Sequence, residues 1–336
     1  MEEHKGEIDG FYGAFFGGST NFTAEEDVQP KSSDVDIHIV IDGEIPTSLR
    51  QRKCSHKGLI LELAFDKLKD AMTPDKMLSS CFHAHNFSVP CVISDPSGHL
   101  GKIQEAVAKN YEKAEWVRKR CEDARNIAKY WLNRCSEEDL SFIDCHFSFL
   151  FGSVWIADPP IITDLGIPTV RRWFLPLREV LGKHDRLHLY GKILELNGIA
   201  QLKRMQVVAI YKDMVNAFDR AVEVIQTPVS YEFNICRAAR PYAIGGSQQM
   251  IEDGDYRGAV PFIMWIYYTS INVIQNDASE EEKTKYLRSY QNALNTLGFT
   301  SKEVIIERAK KMKEELLPEI MEVAEYIIEH NPDVIK

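Results

Sequence analysis

The chain has 336 residues, of which 44% are hydrophobic and 27% are charged, and its formal net charge is −10. These proportions match ordinary folded proteins and exclude a disordered or fibrous chain, while the length favours two domains over one. The acidic balance disfavours nucleic acid as a partner, because proteins that bind nucleic acid usually gather lysine and arginine on one face.

The cysteines and the start of the chain point to a reducing, aqueous compartment. Seven cysteines are scattered singly, without a pair at CxxC spacing, as is typical of free thiols in the cytoplasm. The first residues, MEEHKGEIDG, are acidic and do not resemble an export signal. No apolar run reaches the length of about eighteen residues that a membrane span needs. The sequence therefore predicts a cytoplasmic protein without a membrane partner.

Short apolar runs bounded by turn residues predict a sheet in the N-terminal third of the chain. The runs are 10–16, 35–41, 59–65 and, before the turn signal DPSG, 89–95. Between residues 100 and 135 the apolar spacing changes to three and four, which predicts one long amphipathic helix, and helices continue to the C-terminus. We expect an α+β protein with a mixed sheet and flanking helices over 1–105 and a helical bundle over 106–336.

Local signals predict several features of the helical half. A hydroxyl followed three residues later by an acid marks three helix starts, at Ser136, Ser279 and Thr300. Pro168 follows an irregular stretch and predicts the opening of another helix. The aromatic run FIMWIYY, residues 262–268, has large apolar side chains all round a helix, which predicts a core position.

Three acidic residues on predicted strands form the strongest chemical pattern. Asp34 and Asp36 share one face of the second strand, about 7 Å apart at the backbone. Glu62 lies inside the apolar third strand, where an acid needs a partner. If these strands are neighbours, the carboxylates converge on a site for divalent cations, and magnesium is the usual ion beside phosphates. Two Mg²⁺ ions held there could activate an attacking hydroxyl and stabilise a pyrophosphate leaving group.

A Gly17-Gly18-Ser19 turn follows the first predicted strand. Glycines allow backbone amides to approach phosphate oxygens closely, and a helix start after the turn would add its dipole. The pattern therefore predicts a phosphate-binding turn beside the metal site.

These motifs resemble a known superfamily. The segments GGS, SSDVD and LILELAF are similar to the signature of the nucleotidyltransferases that include DNA polymerase beta and the aminoglycoside nucleotidyltransferases. More narrowly, KGLILELAF, ISDPSGHL, WVRKRCEDA, PTVRRW and ARPYAIGGSQQMIEDGDYRGA resemble uncharacterised bacterial nucleotidyltransferase-like proteins with a helical C-terminal domain. This second resemblance covers most of the chain.

The resemblance implies a role for each motif residue. Gly18 and Ser19 would hold the outer phosphates of a nucleoside triphosphate (NTP), and Asp34, Asp36 and Glu62 would bind Mg²⁺ as the catalytic carboxylates. The reaction implied is transfer of a nucleoside monophosphate to a hydroxyl of a small acceptor, which the helical domain would select. Related enzymes also share a cleft between subunits, which leaves a homodimer open.

Two further residues are candidates for binding the acceptor or taking its proton. Arg171 follows Pro168 near the predicted helix start, and an arginine fork suits a phosphate or carboxylate, although most arginines form surface ion pairs. Asp255, with Asp253, could supply the base, since related enzymes draw it from their helical domain. A turn with solvated acids explains both aspartates equally well.

Two competing interpretations concern the N-terminal region. Asp66, at the end of the third strand, competes with Glu62 for the third carboxylate, and the position of Glu62 within the strand favours Glu62. The stretch CFHAHNFSVPC contains Cys81, His83, His85 and Cys91, but it lacks the paired spacings of a structural zinc site. We expect buried thiols and partly exposed imidazoles there.

The sequence favours a Mg²⁺-dependent nucleotidyltransferase, and the acidic balance would suit an aminoglycoside-like, cationic acceptor. Two departures from the family pattern support an alternative. Ser19 and Asp34 lie 15 positions apart, which is longer than the compact family spacing, and the usual arginine after the turn is absent, with Lys31 only a candidate substitute. The alternative is a catalytically weak nucleotide-binding or partner-binding protein of the same fold. A nucleotidyltransferase acting on protein or RNA, as in toxin–antitoxin systems, is a further alternative.

Overall fold

The computed structural model describes residues 9–23, 30–45, 51–68 and 73–336. The acidic chain start and part of the long loop between Ser19 and Asp34, residues 24–29, lie outside the described residues. Within them, a five-stranded mixed sheet precedes a predominantly helical region that extends to the C-terminus. The predicted α+β class is confirmed.

The sheet has the strand order β3-β4-β2-β1-β5. Its strands are β1 (Phe11–Gly17), β2 (Asp34–Ile41), β3 (Arg52–His56), β4 (Leu59–Lys67) and β5 (Val92–Ser94). Strands β2 and β4 are parallel, and the other neighbouring pairs are antiparallel. The first three predicted strands are confirmed to within two residues at each end, whereas β5 is shorter than predicted and β3 was not predicted.

The two faces of the sheet differ in chemistry because alternate residues of β2 point to opposite sides. One face carries Val35, Ile37, Ile39 and Ile41. The other face has an apolar end and an acidic end. At the apolar end, Val40 and Phe15 pack against three helices, α1 (Pro74–Ser79), α2 (Ala84–Phe87) and α3 (His99–Asn110).

The acidic end of the same face meets the helical region. Ile60, two residues before Glu62, belongs to the large core of that region. The helices there are α4 (Ala114–Arg134), α5 (Phe142–Trp155), α6 (Asp158–Thr163), α7 (Phe174–Lys183), α8 (Leu187–Leu196), α9 (Arg204–Val224), α10 (Gly246–Glu252), α11 (Val260–Asp277), α12 (Glu280–Thr296), α13 (Lys302–Lys311) and α14 (Leu317–His330). The charged end of the sheet therefore lies between the two parts of the chain.

Helix α11 forms the centre of the helical core, as the aromatic run predicts. Every residue of the run at 262–268 is buried. None of the helices in the described ranges is sufficiently long and apolar to cross a lipid bilayer.

The single long helix predicted over 100–135 is wrong, because the chain breaks between α3 and α4. The backbone of Ile335 donates to the carbonyl of Glu112 at 2.9 Å and accepts from the amide of Ala114 at 2.8 Å. The C-terminal segment thus takes hydrogen bonds that a continuous helix would form internally, so the break depends on a contact distant in sequence.

Two of the four predicted helix starts are wrong, and a third, at Thr300, is displaced by one residue. The capping box of Ser279 with Glu282 is confirmed at the start of α12. Helix α5 begins after Ser141 rather than Ser136, and α13 begins after Ser301 rather than Thr300. Pro168 lies in an irregular segment, and α7 begins later, at Phe174.

Candidate functional site

The three predicted carboxylates converge. Asp36 lies directly opposite Glu62 in the parallel pairing of β2 and β4, and Asp34 shares the face of Asp36. One carboxylate oxygen from each residue lies within 4.8 Å of the other two. Among the described residues, this is the one group of histidine, cysteine and acidic side chains with the spacing of a metal site.

A lysine that the sequence analysis did not select contacts this cluster. Lys53 lies opposite Glu62 on β3, and its ammonium forms ion pairs with both Asp34 and Glu62. The Lys53 side chain has no solvent exposure. Burial opposes its charge, but the surrounding Tyr242, Glu62 and Asp34 together raise the pKa of Lys53. The site therefore contains a permanent positive charge among its acids.

Aromatic rings from the helical region enclose this ammonium. The Lys53 Nζ atom lies 4.1 Å from the centre of the Tyr242 ring and 5.7 Å from that of Phe233. Tyr242 lies in the π-helical turn Pro241–Gly245, a geometry that is frequent at functional sites. The cation–π contacts connect the sheet to the helical region at the carboxylate cluster.

Lys53 forms ion pairs with Asp34 and Glu62 but not with Asp36, which has no ion pair among the described residues. Burial, followed by the charges of Asp34 and Glu62, raises the pKa of Asp36 to about 7. A carboxylate in this setting gains from a further cation, and three hard oxygen donors are the ligands that Mg²⁺ prefers. The residues therefore fit a divalent cation, although Lys53 already neutralises part of their charge.

Asp66 takes a different role from Glu62. Its carboxylate lies 2.7 Å from Nδ1 of His38, which follows Asp36 on the same face of β2. Burial opposes the charge of His38, but its bond to Asp66 and the charge of Asp66 raise the pKa of the imidazole. The His38 ring stacks on Phe15 at 4.7 Å. The bonded His38 and Asp66 side chains lie between the acidic end and the apolar end of this sheet face.

The glycine turn lies against the carboxylate cluster. Gly18 has a φ of +67°, and a Cβ atom there would overlap the carboxylate of Asp36, so the position requires glycine. The Gly18 amide donates to the buried Asn86 side chain at 3.0 Å. Ser19 is exposed and begins a single 3₁₀ turn, Ser19–Phe22, rather than a full helix. The turn is next to the site, but one of its amides is already bonded.

Arg171 lies beside the same site. Its Nη1 donates to the Ser32 carbonyl at 2.5 Å, two residues before Asp34. Its guanidinium lies 5.2 Å from the centre of the Tyr242 ring. Burial, with a smaller effect of Arg172, lowers the pKa of Arg171. The side chain thus connects the helical region to the start of β2.

Asp255 lies in a different setting. It precedes α11 and accepts a hydrogen bond from the Gly258 amide. Burial raises its pKa, and Arg178 and Arg172 act against that shift. Its role as a base stays a prediction, because the structure gives it no contact with the carboxylate cluster.

The cysteine and histidine stretch is mostly buried. Cys81 and Cys91 are buried, as expected, and His85 is buried rather than partly exposed. Burial lowers the pKa of His83 to about 4 and that of His85 to about 3, so both rings are neutral at pH 7.

No protein-family model matches the chain, and no curated protein matches it significantly in sequence.

Proposed function

We propose that this protein is a Mg²⁺-dependent nucleotidyltransferase that transfers a nucleoside monophosphate from an NTP to a hydroxyl of a small acceptor. The observation that carries the proposal is the convergence of Asp34, Asp36 and Glu62 on adjacent parallel strands. The Gly18 turn against Asp36 supports it, because a turn there brings backbone close to any ligand of the carboxylates.

The residues have distinct parts in this proposal. Asp34, Asp36 and Glu62 would hold Mg²⁺, which when bound supplies Lewis acidity and neutralises phosphate charge. The Gly18 turn would lie along the phosphates, and Tyr242 with Phe233 excludes water from the Lys53 side of the cluster. In the transfer, a bond forms between the acceptor oxygen and the α-phosphorus, the bond to pyrophosphate breaks, and the hydroxyl proton passes to a base.

One observation favours a second candidate function. The Lys53 ammonium pairs with two of the three carboxylates, and Asn86 occupies the Gly18 amide. Carboxylates that are partly neutralised by the protein's own lysine need fewer metal ions. An amide that already donates a hydrogen bond is less able to donate one to a phosphate. The second candidate is therefore a protein of the same fold that binds a nucleotide or a partner without turnover.

Calorimetric titration of ATP, GTP, CTP and UTP, with and without Mg²⁺, tests the shared site. We expect Mg²⁺-dependent binding that Asp36→Asn abolishes and Asp42→Asn retains, since Asp42 is exposed beyond the other end of β2. Pyrophosphate release in the presence of a panel of hydroxylated acceptors then separates the candidates. Release supports the transferase, and binding without release supports the second candidate. Absence of Mg²⁺-dependent binding to the wild type contradicts the transferase and the nucleotide-binding form of the second candidate, and it leaves the partner-binding form.

A further inference from the structure

A cavity of about 890 Å³ opens beside the carboxylate cluster, within the size range of ligand sites. It lies mainly between α4, α5, α11 and the segment before α10. Two of its lining residues also contact the cluster. The Gln51 side chain donates to Glu62 at 2.5 Å, and the Phe233 ring is one of the two that lie over the Lys53 ammonium. A molecule in the cavity would therefore lie next to the Glu62 side of the cluster.

The order of the sheet places this cavity on the side away from the glycine turn. The turn follows β1, which is next to β2 and Asp36. Gln51 precedes β3, which is next to β4 and Glu62. In the order β3-β4-β2-β1, the carboxylates thus lie between the turn and the cavity. An in-line displacement needs its attacking and leaving oxygens on opposite sides of the phosphorus, and this arrangement provides two such sides.

The lining combines flat aromatic surfaces with uncharged polar groups. Trp131, Tyr231 and Phe233 are the partly exposed aromatic rings of the lining. Near these rings, the amide side chains of Gln51, Asn272 and Asn276 offer both donors and acceptors. The C–H face of a sugar-like ring is attracted to the negative face of an aromatic ring, and its hydroxyls match amide groups.

The few charges in the lining already have partners. Asp144 accepts from Ser141 and from Tyr268, each at 2.6 Å. Glu232 accepts from the Val229 amide at 3.0 Å. Arg134 lies over the Trp131 ring and 3.4 Å from Glu137. A polycation would find no cluster of acids here, and an anion would find one arginine engaged elsewhere.

We propose that this cavity is the acceptor site and that the acceptor is an uncharged, polyhydroxylated ring compound. The assignment as an acceptor site rests on the proposed transferase function. The net charge of the whole chain favours a cationic acceptor. The charges of this cavity's lining are few and already paired, so here we propose a neutral acceptor instead.

Ligand-observed NMR on the nucleotide-free full chain tests the ligand class directly. The probes are a set of neutral mono- and disaccharides, with kanamycin as a polycation. We expect at least one saccharide to bind with a dissociation constant in the millimolar range or tighter, and kanamycin to bind at least tenfold more weakly. Tighter binding of kanamycin, or no saccharide binding, overturns the proposal.

Two tryptophan substitutions locate the binding. Ser230 is exposed and lines the cavity, so Ser230→Trp should obstruct part of it and weaken saccharide binding at least tenfold. Gln226→Trp, on the same loop but outside the lining, is the matched control and should bind as the wild type does. Equal binding by both variants would place the saccharide elsewhere and overturn the assignment. Because these titrations contain no nucleotide, failure of saccharide binding is distinct from failure of Mg²⁺-dependent NTP binding.

Discussion

At the scale of single residues, Lys53 determines the charge of the carboxylate cluster. Its fully enclosed ammonium compensates Asp34 and Glu62, and neither acid is in open solvent. Removing one partner of a buried ion pair leaves an uncompensated charge, which costs about 3–5 kcal/mol. The stability of the fold and the affinity for a metal are therefore linked through one side chain.

We expect Lys53→Met to lower the free energy of unfolding by about 3–5 kcal/mol in the absence of metal, because the carboxylates lose their cation. Adding 10 mM Mg²⁺ should stabilise the variant more than the wild type, since a metal ion can replace the lost charge. Urea unfolding with and without Mg²⁺ measures both effects.

Lys192→Met is the matched control, because Lys192 pairs with Glu319 at 2.7 Å with both side chains well exposed. Such a surface pair contributes about 0–1 kcal/mol, so this variant should unfold nearly as the wild type does and show no added response to Mg²⁺. Wild-type stability of Lys53→Met would contradict a compensating role for Lys53.

The candidate acids were predictable from sequence, and Lys53 was not. Asp34 and Asp36 follow the two-residue period of a strand, and Glu62 stands out as an acid in an apolar run. Lys53 lies in the polar run RKCSH, which has no apolar alternation. The signal that could have found it is the following Lys57-Gly58 pair, whose positive φ angles of 49° and 83° form the tight turn of a hairpin.

At the scale of elements, the sequence predicted the strands that consist of apolar runs. It did not predict the polar edge strand or the helix break that depends on residues far away in the chain. Strand β3 is at the edge of the sheet, where polar residues are tolerated. The break between α3 and α4 results from backbone bonds to Ile335, more than two hundred residues away. Local periodicity carries no information about such a partner, so it predicted one helix where the structure has two.

Arg171 connects the helical region to the segment before β2, so its removal should affect how readily that segment opens. We expect Arg171→Ala to accelerate hydrogen exchange of backbone amides in residues 31–36 by about tenfold or more. The loss of a hydrogen bond from a charged donor, about 1.5–3 kcal/mol, lowers the cost of local opening by that order. Exchange followed by mass spectrometry resolves this segment.

Arg240→Ala tests whether the effect is specific to this connection. Arg240 pairs with Asp219 at 2.9 Å, with both side chains about half exposed, and it does not donate to the segment before β2. Its removal should leave exchange of residues 31–36 unchanged. Equal acceleration in both variants would show a general loss of stability instead, and unchanged exchange in Arg171→Ala would contradict the connecting role.

At the scale of the whole molecule, buried histidines make stability depend on pH. Burial lowers the pKa of His83 to about 4, and those of His85 and His146 to about 3. In an unfolded chain a histidine has a pKa of about 6.5, so below that pH the unfolded state binds more protons than the folded one. These histidines therefore lower stability as the pH falls from about 6.5 towards 4.

Asp36 acts in the opposite direction. Its pKa of about 7 in the folded chain exceeds its ordinary value, so between about pH 7 and 4 the folded state binds more protons at this position. Each histidine contributes a slope of about 1.4 kcal/mol per pH unit, and Asp36 offsets one of them. Burial also raises the pKa values of Asp158 and Asp255, which act in the same direction as Asp36. The three histidines contribute a decline in stability with acid between pH 6 and 4, and these acids offset part of it.

His146→Leu should reduce this decline by about 1.4 kcal/mol per pH unit, because it removes one proton site that only the unfolded state can fill. Urea unfolding monitored by tryptophan fluorescence at several values between pH 7.5 and 4.5 gives the slope.

Tyr290→Phe is the control, since it removes the hydroxyl 3.3 Å from Nδ1 of His146 and leaves the imidazole buried. Burial is the main cause of the lowered pKa, so this variant should keep the wild-type slope even if it is less stable at every pH. A wild-type slope in His146→Leu would show that His146 does not contribute to acid unfolding, and a reduced slope in Tyr290→Phe would assign the pKa shift to the hydrogen bond rather than to burial.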